Sequence, residues 1–473
     1  MQNHDPAVAT ASTGQHLQRN LRNRHLQLIA IGGAIGTGLF MGSGKTISLA
    51  GPSVIFAYAV IGSVLFFMMR AMGELLLSNL HYKSFVDFNY DLLGPCAGFF
   101  TGWTYWFCWV VTGIADVVAI TGYIQFWIPG VPLWLPGTLC ISLLLGLNLL
   151  TVKLFGELEF WFALIKIIAI VALIVVGFGM IAWGFTSPAG HQASLANLWS
   201  DGGFFPTGWG GFFAGFQIAV FAFVGIELVG TTAAETANPE RNLPKAINSI
   251  PVRIILFYVL ALVVIMTVTP WRLVQADKSP FVELFVLAGI PAAASLINFV
   301  VLTSAMSSSN SGIFSTSRML YGLAQEGHAP GGFGRLSRAA VPARGLLFSC
   351  ACLLVGAMLV YVIPNLVTAF TLVTTLSAVL FMFIWSLILC SYIAYRRKRP
   401  ELHARSIYKM PGGVAMCVAC LVFFAFVVVL LTLQPDTLKA LLASPVWFVL
   451  LAIGYWLKGR HGGRSVQPAL EKE

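Results

Sequence analysis

The sequence predicts an all-α membrane protein with twelve transmembrane helices, as judged from its composition, its apolar runs and its charge distribution. Of its 473 residues, 58% are hydrophobic and only 10% are charged, whereas a soluble domain carries roughly 25% charged residues. A chain with so few charges cannot cover its own surface with polar groups in water, but it has no need to if most of that surface faces lipid. Residues 1–18 are polar and lack the apolar core of a secretory signal peptide, so we expect the first apolar segment to be retained as a helix.

Apolar runs long enough to cross a bilayer, about 20 residues each, occur twelve times. They cover roughly 25–48, 53–79, 97–128, 133–152, 157–184, 211–234, 251–270, 284–322, 346–363, 366–395, 413–433 and 445–458. We refer to them as spans 1 to 12. They predict one transmembrane domain over residues 22–460, with polar tails at 1–21 and 461–473.

The basic residues lie mostly on one side of these spans. If the N-terminus is cytoplasmic, most of the 28 Lys and Arg residues fall in cytoplasmic segments, and the longest outside loop, residues 185–210, contains none. This positive-inside bias predicts cytoplasmic N- and C-termini and a multi-pass protein of the bacterial inner (cytoplasmic) membrane. It also accounts for the formal net charge of +10, so we expect no nucleic-acid partner.

Two spans contain glycines that disfavour a continuous helix. Span 1 has five glycines between Gly32 and Gly42, and each costs roughly 1 kcal/mol relative to Ala in a helix. Span 6 reads Phe-Ala-Phe-Val-Gly-Ile-Glu over residues 221–227. Close helix packing would also use such glycines, but Gly-interrupted segments that open two successive groups of five spans indicate an inverted-repeat transporter.

The repeats would cover about 22–184 and 211–395, followed by two further helices at 413–458. The two halves share no convincing residue-level similarity, so the repeat is predicted from the number of spans and the positions of the breaks alone.

The broken ends predict a receptor for a zwitterion built mainly from backbone groups. The downstream half of span 1 would present free N–H groups and a positive dipole end, which favour a carboxylate. The residues expected there are Ile35, Gly36, Thr37 and Gly38. The upstream half of span 6 would end in unpaired carbonyls that accept protons from an α-ammonium group. The residues expected there are Phe221, Ala222, Phe223, Val224 and Gly225.

Three ionisable residues within spans are candidates for proton coupling. Lys166 in span 5 costs at least about 2.5–3.5 kcal/mol at mid-membrane, and burial favours loss of its proton; a permanent structural contact to carbonyls or a carboxylate is the alternative. Glu227 is a proton site, a counter-charge for Lys166 or a gate residue. Asp116 in span 3 suits a structural and a functional role equally. We expect H⁺ as the coupling ion, with no cofactor and no metal.

Three further features have simpler interpretations. Arg70 and Glu74 are one turn apart near the cytoplasmic end of span 2 and predict a structural ion pair. The hydroxyl-rich stretch 304–317 of span 8 suits a helix facing an aqueous path or hydrogen bonds between packed helices. Cys417 and Cys420 have the spacing of metal and redox sites, but they lie in an apolar run and are expected to be small buried hydrophobes.

Several segments match a known family of membrane proteins. They are residues 22–25 leading into 32–38, then 70–74, 102–106, 225–227 and 235–247. From about residue 19 to residue 456 the chain resembles the amino acid–polyamine–organocation superfamily and, within it, the bacterial amino acid transporter family of proton symporters.

The resemblance implies a LeuT-like core of 5+5 inverted repeats plus two C-terminal helices. It also implies a substrate carboxylate at the amides of 35–38, an ammonium group at the carbonyls of 221–224, and Lys166 in place of a sodium site. Many relatives have Glu where this chain has Asp116, which leaves the role of Asp116 open.

We therefore expect proton-coupled secondary active uptake of small neutral amino acids by alternating access. The size limit on the substrate follows from the resemblance and not from the residues. A permease of the same fold with another neutral or aromatic substrate, and a non-transporting amino acid sensor, remain alternatives. The sequence offers no catalytic constellation, so we do not expect an enzyme.

Overall fold

The computed structural model describes residues 35–150, 152–231, 238–363 and 365–461. Within these ranges the chain consists of helices and loops, with one isolated β-bridge between Thr186 and Gln192. The predicted tail at 1–21, nearly all of the tail at 461–473, Gly32, Gly33 and the start of the 235–247 motif lie outside the described residues.

The helices are numbered in chain order. Those before the long loop at 185–207 are α1 (Thr37–Phe40), α2 (Gly42–Ala50), α3 (Val54–Ser78), α4 (Phe85–Leu93), α5 (Pro95–Gln125), α6 (Trp134–Leu150) and α7 (Val152–Ala182). The next are α8 (Gly208–Phe221), α9 (Leu228–Thr231), α10 (Pro239–Asn248), α11 (Ile250–Arg253), a π-helix (Ile254–Leu260), α12 (Ala261–Val268), α13 (Pro280–Leu287) and α14 (Pro291–Gln325). The last are α15 (Ala343–Ala357), α16 (Leu359–Val362), α17 (Leu366–Lys398), α18 (Pro400–Arg405), α19 (Gly413–Leu430) and α20 (Pro435–His461).

Eight helical runs among the described residues are long and apolar enough to cross a membrane. One of them, Thr37–Ser78, contains α1, α2 and α3 and covers nearly all of span 2 and the part of span 1 from residue 37 onward; the start of span 1 lies outside the described residues. Shorter apolar helices at Trp134–Leu150, Gly208–Phe221 and Ala343–Gly356 correspond to spans 4, 6 and 9. The protein is a multi-pass helical membrane protein, while the count of twelve spans and the inverted repeat remain predictions.

Two predicted boundaries were wrong. Span 8 was expected from residue 284, but the chain turns at Gly289, which has φ +75°, and α14 begins two residues later at Pro291. Proline suits the first turn of a helix because its missing N–H would have no partner there. Span 12 was expected from residue 445, but α20 begins at Pro435 and continues through Pro445. Its first turns carry Asp436 and Lys439, which hid them from a search for apolar runs.

Helix α5 lies at the centre of the molecule. It packs most extensively against α14 and then against α17. In its most apolar stretch 78% of the residues are buried inside the protein, compared with 17% in α20. The corresponding share in α19 is 28%, so both C-terminal helices are peripheral. Helix α20 turns side chains such as Val446, Leu450 and Trp456 outward.

Arg70 does not form the ion pair with Glu74 that their spacing on α3 predicted. Its guanidinium donates to the Asn248 side chain at 2.8 Å and to the backbone carbonyl of Lys409. The same group lies 3.9 Å from the centre of the Tyr408 ring. Arg70 therefore joins α3 to the end of α10 and to the segment before α19.

Glu74 is fully buried and has its own partners. It accepts hydrogen bonds from the Tyr392 hydroxyl at 2.9 Å and the Met410 amide at 2.7 Å, and it lies 2.5 Å from Nδ1 of His403. The prediction of a local pair failed because several donors far away in sequence surround this carboxylate. These contacts tie the loop between α17 and α19 to α3.

Candidate functional site

The helical part of span 1 begins inside the glycine-rich segment. Gly36 has extended backbone angles (φ −124°, ψ −162°) and precedes α1, and its carbonyl accepts from the amides of Leu39 and Phe40 at 3.2 and 3.3 Å. A turn at Met41 leads directly into α2, so residues 37–50 form one nearly continuous helical run. The positive end of its dipole lies at residue 37. The N–H groups of Thr37 and Gly38 donate to no acceptor among the described residues.

Span 6 is interrupted in its middle. Helix α8 ends at Phe221, residues 222–227 form turns, and α9 begins at Leu228. Gly225 lies in this break with φ +97°, a region that glycine enters at no steric cost and other residues rarely adopt. The break therefore falls on the residues that the sequence singled out.

Most carbonyls of this break are already partnered, whereas the sequence led us to expect unpaired ones. The Phe221 carbonyl accepts from the Val224 amide at 3.1 Å, the Phe223 carbonyl from the amide three residues on at 3.2 Å, and the Ala222 carbonyl from the Tyr258 hydroxyl at 2.9 Å. The Val224 carbonyl accepts from no described residue. A carbonyl oxygen has two lone pairs, so all four still have capacity for a further donor.

The two breaks meet at Gly38. A Cβ atom placed on Gly38 would lie 2.6 Å from Cα of Ala222 and 2.9 Å from a ring carbon of Phe221, so a larger residue would force the breaks apart. A Cβ on Gly36 would lie 3.5 Å from Oγ of Ser308. The amide end of α1 and the carbonyl end of α8 therefore lie side by side, with α14 next to them.

Tyr258 supports the break in span 6 and was not anticipated from the sequence. It lies on the π-helix, and its ring stacks on Phe223 with centroids 4.7 Å apart and planes 9° apart. A single Tyr in an apolar run gives no signal that separates this role from core packing. Single π-helical segments within α-helices often occur at functional sites, and this one delivers a hydroxyl to the Ala222 carbonyl.

Lys166 on α7 reaches the break in span 1. Its side chain is fully buried, and Nζ donates to the Ile35 carbonyl at 3.0 Å and to Oγ of Ser307 at 3.1 Å. The Ser304 hydroxyl donates to the same Ile35 carbonyl at 3.0 Å. The candidate coupling residue is therefore one hydrogen bond away from the backbone expected to hold the substrate carboxylate.

A second buried ionisable residue on α7, Glu159, was missed. The Ser307 hydroxyl donates to its Oε1 at 2.6 Å, and Asn310 approaches its Oε2 at 3.4 Å. Asn148 on α6 donates in turn to the side-chain oxygen of Asn310 at 2.8 Å. The signal was available in the sequence, because residues seven apart lie on one face of a helix, and Glu159 and Lys166 have that spacing on α7.

Asp116 on α5 contacts the start of α1. It is fully buried, and its Oδ1 accepts from the Thr37 hydroxyl at 2.7 Å. Its Oδ2 receives a longer contact from the Ser309 hydroxyl at 3.4 Å. Asp116 therefore connects α5 to α1 and α14 beside the first break, and hydroxyl groups provide these contacts.

Glu227 makes its contact within its own break, whereas the carboxylates that act on Lys166 are Glu159 and Asp116, so the structure lends no support to a role for Glu227 as the counter-charge of Lys166. Its Oε2 accepts from the Gly225 amide at 3.2 Å, which pins the carboxylate to its own break. Its Oε1 is buried with no hydrogen-bond partner in the described part of the chain, and Trp385 lies nearby. The roles of proton site and gate remain predictions.

The hydroxyl-rich face of α14 makes contacts between helices. Ser304 bonds the segment before α1, Ser307 bonds α7 and Ser309 approaches α5. These contacts fit the second interpretation of this stretch, and the aqueous path remains a prediction. Cys417 and Cys420 on α19 are buried free thiols.

Comparison with known proteins extends over nearly the whole chain. The family model described as amino acid permease matches residues 25–466. The chain is 69% identical over 450 residues to the D-serine/D-alanine/glycine transporter of Escherichia coli K12, covering 95% of this chain and 96% of that protein. It is 56% identical over 448 residues to amino-acid permease AapA of Bacillus subtilis strain 168, covering 95% of this chain and 96% of that protein. This chain belongs to the amino acid permease family.

Proposed function

We propose that the protein takes up glycine, D-alanine and D-serine across the bacterial inner membrane together with a proton. The transport of amino acids follows from membership of the permease family. The choice of small neutral substrates is supported by the name of the relative that is 69% identical over 95% of this chain. The observation that carries the proposal is the meeting of the two helix breaks at Gly38 and Ala222.

An α-amino acid matches the two ends that meet there. Its carboxylate would bind the amides of Thr37 and Gly38, which have no acceptor in the described part of the chain, and the dipole of the following helical run favours negative charge there. Its ammonium group would donate to the carbonyls of the second break, among which that of Val224 has no donor in the described chain. The ring of Phe221 lies against Gly38, which supports a limit to small side chains.

Proton coupling is supported by the position of Lys166. As an ammonium group it donates to the Ile35 carbonyl and so holds the segment from which α1 begins. Loss of the proton leaves a neutral amine, which is a weaker hydrogen-bond donor. The hydrogen bond to the Ile35 carbonyl would then weaken. Alternating access would then follow from the change in the first break as the proton enters and leaves.

Uptake by the purified protein in proteoliposomes tests the proposal. An inward proton gradient should accumulate labelled glycine inside the vesicles, and replacing Na⁺ by K⁺ on both sides should leave the rate unchanged. Unlabelled D-alanine and D-serine should compete with glycine, whereas L-phenylalanine and L-lysine should not. Saturable glycine binding without accumulation would point to a sensor and would refute transport.

A further inference from the structure

A chain of buried hydrogen bonds connects Lys166 to Glu159. Nζ of Lys166 donates to Oγ of Ser307 at 3.1 Å, and the Ser307 hydroxyl donates to Oε1 of Glu159 at 2.6 Å. None of these three residues has appreciable exposed surface. The coupling residue is therefore linked to a carboxylate by one hydroxyl group that both accepts and donates.

The chain runs along α7 toward the end at which that helix begins. Glu159 and Lys166 are seven residues apart on one helix face, which is about 10 Å at 1.5 Å per residue, and Ser307 on α14 lies between them. In the predicted orientation the start of α7 is cytoplasmic. Asn310, itself held by Asn148, approaches the second oxygen of Glu159, so the carboxylate stays aligned with Ser307.

The other carboxylate near Lys166 is differently placed. Asp116 lies close enough to interact electrostatically with Lys166, but its Oδ1 accepts from Thr37 and its Oδ2 faces Ser309. Those contacts lead toward the start of α1, where the substrate carboxylate is expected. Glu159 is thus the carboxylate that a hydroxyl group joins directly to the Lys166 ammonium.

We propose that Glu159 receives, through the Ser307 hydroxyl, the proton that Lys166 releases, and so forms the exit of the coupling proton toward the cytoplasm. One N–H bond of Lys166 breaks as its proton moves to Oγ of Ser307, while the original hydroxyl proton of Ser307 moves to Oε1 of Glu159. The products are a neutral amine, an unchanged serine hydroxyl and a neutral carboxylic acid. This step converts two buried charges into two neutral groups, which a low-dielectric interior favours. The inference rests on the proposed role of Lys166 in proton coupling.

Replacing the proton acceptor tests this step. Glu159→Gln keeps the shape of the side chain and its contact with Ser307 but cannot take up a proton. Gradient-driven glycine accumulation and glycine-induced proton entry, followed with a pH-sensitive dye inside the vesicles, should fall about tenfold or more, as expected when a proton-transfer group is lost. Glycine counterflow needs no net release of protons and should persist. Glu157→Gln, on the same helix but only half-buried, is the matched control and should behave like the unaltered protein.

Replacing the intermediate tests whether the hydroxyl carries the proton. Ser307→Ala should reproduce the split between slow proton entry and preserved counterflow, and Ser307→Thr should restore proton entry because it keeps the hydroxyl. Ser317→Ala is the matched control, since Ser317 is also buried on α14 and, among the described residues, its hydroxyl bonds only the Phe314 carbonyl of its own helix. Full proton entry in Glu159→Gln would overturn the relay, and so would a loss of counterflow equal to the loss of proton entry, which marks a purely structural role. Failure of the unaltered protein to couple glycine to protons would instead refute the proposed function.

Discussion

At the scale of single residues, Lys166 has the clearest testable role. Lys166→Met removes one of the two donors to the Ile35 carbonyl together with the titratable ammonium group, so gradient-driven glycine accumulation should disappear while membrane insertion is retained. Lys166→Arg keeps a positive charge that does not deprotonate in proteins, so it should also fail to accumulate glycine. Glycine uptake, measured for both variants at several external pH values, tests this prediction.

The control for Lys166 is the amount and folding of the protein. Size-exclusion profiles in detergent should match the unaltered protein for both variants, and glycine binding should be retained at least in Lys166→Arg. If either variant kept the same dependence of uptake on external pH, Lys166 would be a structural residue and the coupling site would have to be sought elsewhere.

Single residues also show what a sequence can and cannot reveal. Lys166, Glu227 and Asp116 could be found because a charge inside an apolar run is costly. Glu159 lies at the edge of its run and was overlooked, although its spacing from Lys166 places both on one face of α7. Tyr258 could not have been found, because its role depends on the π-helix and on a carbonyl of another span.

At the scale of helices, the break in span 6 depends on one backbone conformation. Gly225→Ala places a Cβ at φ +97°, where strain costs about 1–3 kcal/mol. We expect a lower midpoint of thermal unfolding in detergent and reduced glycine uptake. Both follow because the substitution distorts the turn at 222–227 and the hydrogen bond from the residue 225 amide to Glu227.

The matched control for that variant is Gly146→Ala. Gly146 is an exposed helical residue on α6, and a Cβ there would meet nothing within 4 Å. Alanine also has the higher helix propensity, so this variant should be as stable as the unaltered protein or slightly more so. Unchanged stability and uptake in Gly225→Ala would show that the break does not need its left-handed glycine.

The breaks were predictable because glycine and a carboxylate interrupt otherwise apolar runs at matching places. The state of their carbonyls was not, because their partners are Tyr258 and short turn hydrogen bonds that form only in the folded chain. The false ion pair between Arg70 and Glu74 has the same origin. Helical spacing describes neighbours on one helix, whereas donors from α17 and the loop after it reach Glu74 in the fold.

At the scale of the whole molecule, the predicted orientation can be tested with a native thiol. Cys96 at the start of α5 is the exposed cysteine among the eight in the chain, and the predicted orientation places it in the cytoplasm. A membrane-impermeant maleimide should label it in inside-out vesicles and not in intact cells, and Cys96→Ser should remove that signal.

A cysteine on the opposite face completes the orientation experiment. Ser200 is exposed in the loop predicted to lie outside, so Ser200→Cys in the Cys96→Ser background should react from the outside of intact cells. Labelling of Cys96 from the outside would reverse the assignment of both termini. The composition predicted a membrane protein, and the apolar runs predicted where its helices lie. The orientation was predicted only from the distribution of Lys and Arg, and it therefore needs this measurement.

Through a single peptide group, the Ile35 carbonyl would connect proton binding at Lys166 with substrate binding at the start of α1. Its oxygen accepts from Lys166 and Ser304, and the nitrogen of the same peptide group belongs to Gly36, an amide expected to bind the substrate. Hydrogen bonds to a carbonyl polarise the peptide and strengthen its N–H as a donor, so a proton on Lys166 would make the Gly36 amide a better ligand for a carboxylate. Linkage is reciprocal, and the factor by which protonation tightens glycine binding must equal the factor by which glycine raises the affinity of Lys166 for its proton.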